Sequence, residues 1–401
     1  MIATPHSLPL ALAAAAVLAL PATAPAAAAP AGPPLQQPPS ATRGDSAEAA
    51  SSPTGAAGKQ KGKQDDAAPG APRRTGPLFE SDAPLRLTLT ADFGAVFKSR
   101  DTLRRQPRPA RLAVVEPAAA AGTSAAIPVI LTTRGHFRLK STTCSFAPLR
   151  VAFDSGGTKG TPFAGQRALK LSTHCRSGSR EYEQNVLREY LAYRVFNLIT
   201  DRSFRARLAK FTYAEARDST KGVTAWGFFV ESERELGRRL GARLLEARGG
   251  RFDDFEPAQT DLMSVFQYMI GNTDFSIWAL HNVRIFAPGS GASLYYPVPY
   301  DFDWSGVVSA RYAFPDARLG TRTVHERVYR GPCRTAEQLA PTFAHFVAKR
   351  DSITALYRSL PDLDPRYVRE TEEYFAEFYA TIGDARRWKA HAASTCRDEG
   401  Q

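Results

Sequence analysis

The chain has 401 residues, and 52 Lys and Arg against 40 Asp and Glu give it a net charge of +12. Net charge speaks to solubility and to anionic partners, such as nucleotide phosphates or a membrane surface, rather than to fold. No zinc-ligand spacing and no aromatic RNA-binding signature accompany it, so nucleic acid is not an expected partner.

Residues 1–26 read as a signal peptide. The apolar run Leu10–Leu20 is too short to span a bilayer and is followed by Ala24-Pro25-Ala26, a plausible cleavage site. Residues 27–77 are rich in Ala, Pro, Gly, Ser and Lys, a composition that cannot bury enough apolar surface to offset ordering entropy. They are expected to form a disordered linker. No later stretch reaches about 18 uninterrupted apolar residues, so no transmembrane segment is expected in the mature chain. The expected location is periplasmic or extracellular. Cys144, Cys175, Cys333 and Cys396 form no Cys-x-x-Cys pair, and an even count in an exported chain suggests disulfides. Cys144 with Cys175 is the favoured pair, because both sit at the ends of neighbouring predicted strands.

From Leu78 the chain reads as folded. Leu85–Thr90 alternates apolar and polar residues, and Ile127–Leu131, Leu149–Phe153 and Ala168–Ser172 are short strand-like runs. The spacing then shifts to three and four across Glu181–Ile199, which predicts an amphipathic helix with acids at its positive end. A strand over Thr224–Glu231 follows. Pro257 suits a helix first turn, and an apolar stripe from Leu262 to Ile270 stops at Gly271. Val283–Phe286 and Leu294–Tyr300 predict a hairpin, and Thr335 to about Ala390 reads as helix. The expectation is an α+β fold with a β-rich N-lobe over 78–235 and a mostly helical C-lobe over 236–401.

The densest chemistry lies around that hairpin. Asn272-Thr-Asp274 follows a helix stop, His281-Asn282 opens one strand, and Asp301-Phe-Asp303 closes the other. A hairpin brings its strand ends together, so Asn282 and Asp301 should be neighbours, with the Asp274 loop beside them. Carboxylates next to a carboxamide suit a hard cation such as Mg²⁺, with phosphate oxygens as further ligands. Each residue also has a plainer reading: Asp274 as a turn residue, His281 as a packed histidine, Lys170 as an edge-strand lysine.

Taken together, Asn272-Thr-Asp274, His281-Asn282 and Pro299-Tyr-Asp301-Phe-Asp303 resemble the catalytic segment of the spore-coat CotH kinase family, an atypical protein-kinase-like fold. Thr133-Arg-Gly-His-Phe137 is similar to that family's Arg-Gly-Asn-Ser strand. The resemblance covers roughly residues 127–306 and implies a two-lobed kinase-like domain that uses ATP and Mg²⁺ on an unknown hydroxyl acceptor. It implies Asp274 as the catalytic residue positioning that hydroxyl. It implies Lys170 on the nucleotide phosphates with Glu189 as its ion-pair partner, and Asn282 and Asp301 on the metal. Asp303 stands where kinases carry the Gly of Asp-Phe-Gly, as a second metal ligand or a cap. The chain departs from the family pattern in lacking a Gly-x-Gly-x-x-Gly loop, and its Asp274-to-Asn282 spacing exceeds the Asp-x-x-x-x-Asn of typical protein kinases. The alternatives are a non-catalytic cell-envelope binding protein and a Ca²⁺-stabilised adhesin module.

Overall fold

The computed structural model describes residues 76–115, 126–154, 156–289 and 294–397. The expected signal peptide, and the expected linker up to residue 75, lie outside the described residues.

Alternation of apolar and polar side chains builds the first half. In β1 (Leu85–Ala91), Leu87, Leu89 and Ala91 are buried between Arg86, Thr88 and Thr90. After the short helix α1 (Phe93–Lys98) come β2 (Arg108–Val114), β3 (Ile127–Thr133), β4 (Leu149–Phe153) and β5 (Ala168–Ser172), each antiparallel to the one before. The helix α2 (Arg180–Ile199) leads into β6 (Ala206–Glu215) and the long β7 (Asp218–Val230), which returns against both β6 and β5. Then β6 lies parallel to β1 and closes the sheet into a barrel of order β1-β2-β3-β4-β5-β7-β6. Leu89, Leu112, Leu131, Val151, Leu171, Phe211 and Phe229 fill its interior. The outer faces of β6 and β7 carry Leu208, Phe228 and Val230, which pack on α2.

The second half opens with α3 (Glu233–Leu240) and β8 (Arg243–Leu245). Next come α4 (Pro257–Ile270), β9 (Val283–Ala287) and β10 (Tyr296–Pro299), and the chain ends with α5 (Ala336–Ala348), α6 (Arg350–Ser359), α7 (Pro365–Ile382) and α8 (Ala385–Ala392). Strands β8, β9 and β10 form a separate sheet with β9 in the middle. Gly271 ends α4 with φ +65°, and a Cβ there would overlap the Tyr374 hydroxyl. One apolar cluster runs from α2 and the outer face of β7 through α4, β9 and β10 to α5, α7 and α8. Among the described residues, no helix is long and apolar enough to cross a membrane.

The two-lobed kinase-like architecture expected from the sequence is therefore corrected. The β-rich part is a closed, mixed seven-stranded barrel, and the second half carries a three-stranded sheet of its own rather than forming a helical lobe. The contact that closes the barrel joins β1 to β6 across more than a hundred residues, which local periodicity does not reveal. The expected amphipathic helix is α2, but it buries most of its circumference, because barrel and helices cover opposite sides of it.

Both cysteine pairs are bonded: Cys144 to Cys175, as expected, and Cys333 to Cys396. The first ties the β3–β4 connection to the end of β5. Arg100 adds to that tie, donating to the carbonyls of Leu139, Cys144 and Ser145. The bond closes a chain separation of 31 residues, so replacing both cysteines with serine should cost about 2–4 kcal/mol of stability. Urea unfolding without reductant reads this; an unchanged midpoint would show that the loop is held without the bond.

Candidate functional site

At the outer wall of the barrel, the turn after β3 carries Arg138, which is 8 % exposed. Its guanidinium donates to the Thr173 carbonyl at 2.8 Å, to Ser172 Oγ at 3.3 Å and to Glu189 Oε2 at 3.4 Å. Asp303 Oδ2 lies 3.8 Å away and accepts from the Tyr312 hydroxyl at 2.9 Å. Ser172 in turn donates to Glu189 at 3.0 Å. Barrel, α2 and the segment after β10 thus meet on one cation. Glu189 and Asp303 are 4 % and 6 % exposed. Burial pushes Glu189 up to about 7, opposed by Arg138 and reinforced by Asp301. Burial, with the negative charges of Asp301 and Glu189, holds Asp303 well above the usual carboxylate range. Burial lowers Arg138, but Tyr312, Glu189, Asp303 and Asp301 raise it further, so it stays charged.

Beside this network is the open end of the β9–β10 hairpin. The Tyr300 N–H donates to the Asn282 carbonyl at 2.9 Å, which sets Asn282 opposite the start of Tyr300-Asp301. Asn282 and Asp301 adopt φ +51° and +63°. Asn and Asp tolerate this left-handed region better than other side chains, and residues held there gather at functional sites. The Asp301 N–H donates to the Tyr193 hydroxyl at 2.8 Å. Its half-buried carboxylate has no hydrogen-bond or ion-pair partner among the described residues. Asn282 donates its amide to the Asp274 carbonyl at 2.8 Å and to Asp274 Oδ2 at 3.0 Å. That fixes the carboxamide, whose oxygen is left without a partner among the described residues. Asp274 Oδ1 meets His281 Nε2 at 2.9 Å, with side chains 32 % and 50 % exposed respectively.

Lys170 faces the same outer wall as Ser172, two residues along β5, while Leu169 and Leu171 point into the barrel. Its ammonium sits 2.6 Å from Glu233, in the first turn of α3, and 4.8 Å from the centre of the Tyr300 ring. Burial raises Glu233, but Lys170 more than reverses this and brings it down to about 2. The expected pairing of Lys170 with Glu189 is corrected: Glu189 is held by Arg138, and Lys170 by Glu233. Asp303, expected beside Asp301 as a ligand, turns into the Arg138–Tyr312 network instead.

So Asp274 and Asn282 are joined at the hairpin end, Asp301 follows Tyr300 opposite Asn282, Lys170 stands over Tyr300, and Glu189 and Asp303 are held by Arg138. The sequence reading missed Arg138, Glu233, Tyr193 and Tyr312. A signal for Arg138 was present: acids inside a fully apolar neighbourhood need a cation. Among the described residues, no three His, Cys, Asp or Glu side chains cluster so as to hold a metal ion by themselves. The donor set that remains fits a cation needing few protein ligands: one unpartnered carboxylate and one oriented carboxamide oxygen. Mg²⁺ is commonly held by one or two carboxylates, with phosphate oxygens and water completing its shell.

The raised Glu189 sets a pH dependence. Its folded value of about 7 lies above the ordinary 4.5, so the protonated form favours folding. That contribution is fully present below pH 4.5 and is lost as pH rises towards 7. Glu189→Gln should flatten the fall in stability over this window, read by urea unfolding at a series of pH values. An equal slope in both proteins would show that Glu189 is already ionised at the acid end.

No protein-family model matches this chain, and comparison with curated proteins finds no match.

Proposed function

We propose that the chain is an exported, metal-dependent phosphotransferase that moves a phosphoryl group from a nucleoside triphosphate to a hydroxyl acceptor. The observation that carries this reading is Asp301: a half-buried carboxylate in a left-handed backbone conformation, following Tyr300 opposite Asn282, with no ion pair within 4.0 Å among the described residues. Leaving a carboxylate partly desolvated and unpaired is costly unless something else neutralises it. A Mg²⁺ ion on Asp301 and the Asn282 oxygen would supply that charge and offset the negative charge of the phosphates. Asp274 lies next to Asn282, where it can orient an acceptor hydroxyl and take its proton, directly or through His281. The local likeness of residues 272–303 to the CotH kinase catalytic segment supports the same chemistry, while the barrel architecture is not part of that likeness. Two disulfides agree with export, since such bonds persist in oxidising compartments.

A second reading has its own observation. Both carboxylate oxygens of Asp274 are engaged within its own loop, by His281 and Asn282. A residue so occupied can be a loop clamp, and the protein then binds the nucleotide without transfer.

The two readings separate in one series measuring melting shifts with Mg²⁺ and ATP, and phosphate transfer. Transfer predicts that Asp301→Ala loses binding while staying folded. It also predicts that Asp274→Ala keeps binding and loses transfer by about 10²–10⁴-fold, the usual size for a positioned base. The clamp reading predicts binding without transfer in the wild type, with Asp274→Ala lowering only the melting temperature. If Mg²⁺ and ATP leave the wild-type melting temperature unchanged at millimolar concentration, both readings fail.

A further inference from the structure

The cations near the hairpin end are unequally satisfied. Lys170 is neutralised by Glu233 at 2.6 Å, and Arg284 lies 3.6 Å from the same carboxylate. Arg138 is enclosed by Glu189, Asp303 and the Thr173 carbonyl. Arg134 differs. It directly follows β3, where its N–H donates to the Pro148 carbonyl at 2.9 Å. Its half-buried side chain makes no ion pair within 4.0 Å among the described residues. Its Nε, like that of Arg138, is buried without a hydrogen-bond partner.

Thr133 points into the barrel, so alternation puts Arg134 on the outer wall with Ser172 and Lys170. Its positive charge acts on Glu189, Tyr193 and Tyr300, the residues around Asp301. Gly135, with φ +81° and open space where a Cβ would stand, turns the chain directly after it. Around Tyr193, Tyr300 and Glu189 there thus lie a guanidinium and a carboxylate, Arg134 and Asp301, neither of which has an ion pair within 4.0 Å among the described residues.

We propose that Arg134 is the anion-binding residue of this face, its guanidinium taking phosphate oxygens while Asp301 takes the cation that accompanies them. This rests on the phosphotransfer reading for the identity of the ligand as a nucleotide, but not for the presence of an anion site. A guanidinium fork matches two phosphate oxygens at once, which a point-charge ammonium cannot do. The role expected of Lys170 thus passes to Arg134.

The test uses the full chain and two probes, Mg²⁺ with ATP and inorganic tripolyphosphate, measured by titration calorimetry on wild type, Arg134→Gln, Arg134→Lys and Lys170→Gln. Arg134→Gln should weaken both probes at least about tenfold, the effect of losing a charge-assisted pair. Arg134→Lys should recover part of the loss, and Lys170→Gln should change affinity less than Arg134→Gln. Because the Arg134 side chain makes no ion pair or hydrogen bond among the described residues, Arg134→Gln should melt at or above the wild-type temperature; a lower value assigns it a structural role and overturns the proposal. Wild-type affinity in Arg134→Gln overturns the proposal and leaves the phosphotransfer reading standing. Tripolyphosphate binding through Arg134 without ATP binding upholds the proposal and removes the nucleotide reading. If the wild type binds neither probe, the proposal fails.

Discussion

The ion network around Arg138 is the constraint on which the site depends. One guanidinium reaches β5 through Ser172 and Thr173, α2 through Glu189, and the segment after the hairpin through Asp303. A buried carboxylate cannot persist without a cation or a proton, and two of them here share one cation. The position of the β9–β10 hairpin against the barrel is therefore fixed by charge as well as by packing. Phe302, between the two aspartates, adds the apolar share: it is fully buried and 4.7 Å from the Tyr193 ring, centre to centre.

The same network sorts the remaining charges. Glu189, Asp303 and Glu233 are engaged by internal cations, while Asp301 and Arg134 make no ion pair within 4.0 Å among the described residues. Asn282 is held by Asp274, so its carboxamide has one orientation rather than several. Pre-set donors and acceptors of this kind lower the ordering cost of binding a charged ligand.

Much of this was legible locally. Strands at Leu149–Phe153 and Ala168–Ser172, the start of α4 at Pro257 and its stop at Gly271, and the Cys144–Cys175 bond followed from alternation, capping chemistry and neighbouring strand ends. The closeness of Asn282 and Asp301 followed from hairpin logic. What stayed hidden was long-range. Ala206-Arg-Leu-Ala-Lys at the start of β6 shows no period of two, because both of its faces are covered, and its pairing with β1 lies far off in sequence. The resemblance to the CotH kinase segment implied Lys170 as a partner for Glu189. Residues from two other segments, Arg138 and Glu233, took those partners instead. Local periodicity carries no information about such competition.

We propose that Asp301 and the Asn282 oxygen form a cation site completed by a phosphate ligand. Crystals of the protein grown with Mn²⁺ and a non-hydrolysable ATP analogue test it directly, because manganese is located by its anomalous scattering. The account predicts one strong peak at about 2 Å from a carboxylate oxygen of Asp301, with the Asn282 oxygen and phosphate oxygens around it. An analogue bound with its manganese away from Asp301, or no manganese in the cleft at saturating concentration, would contradict the account.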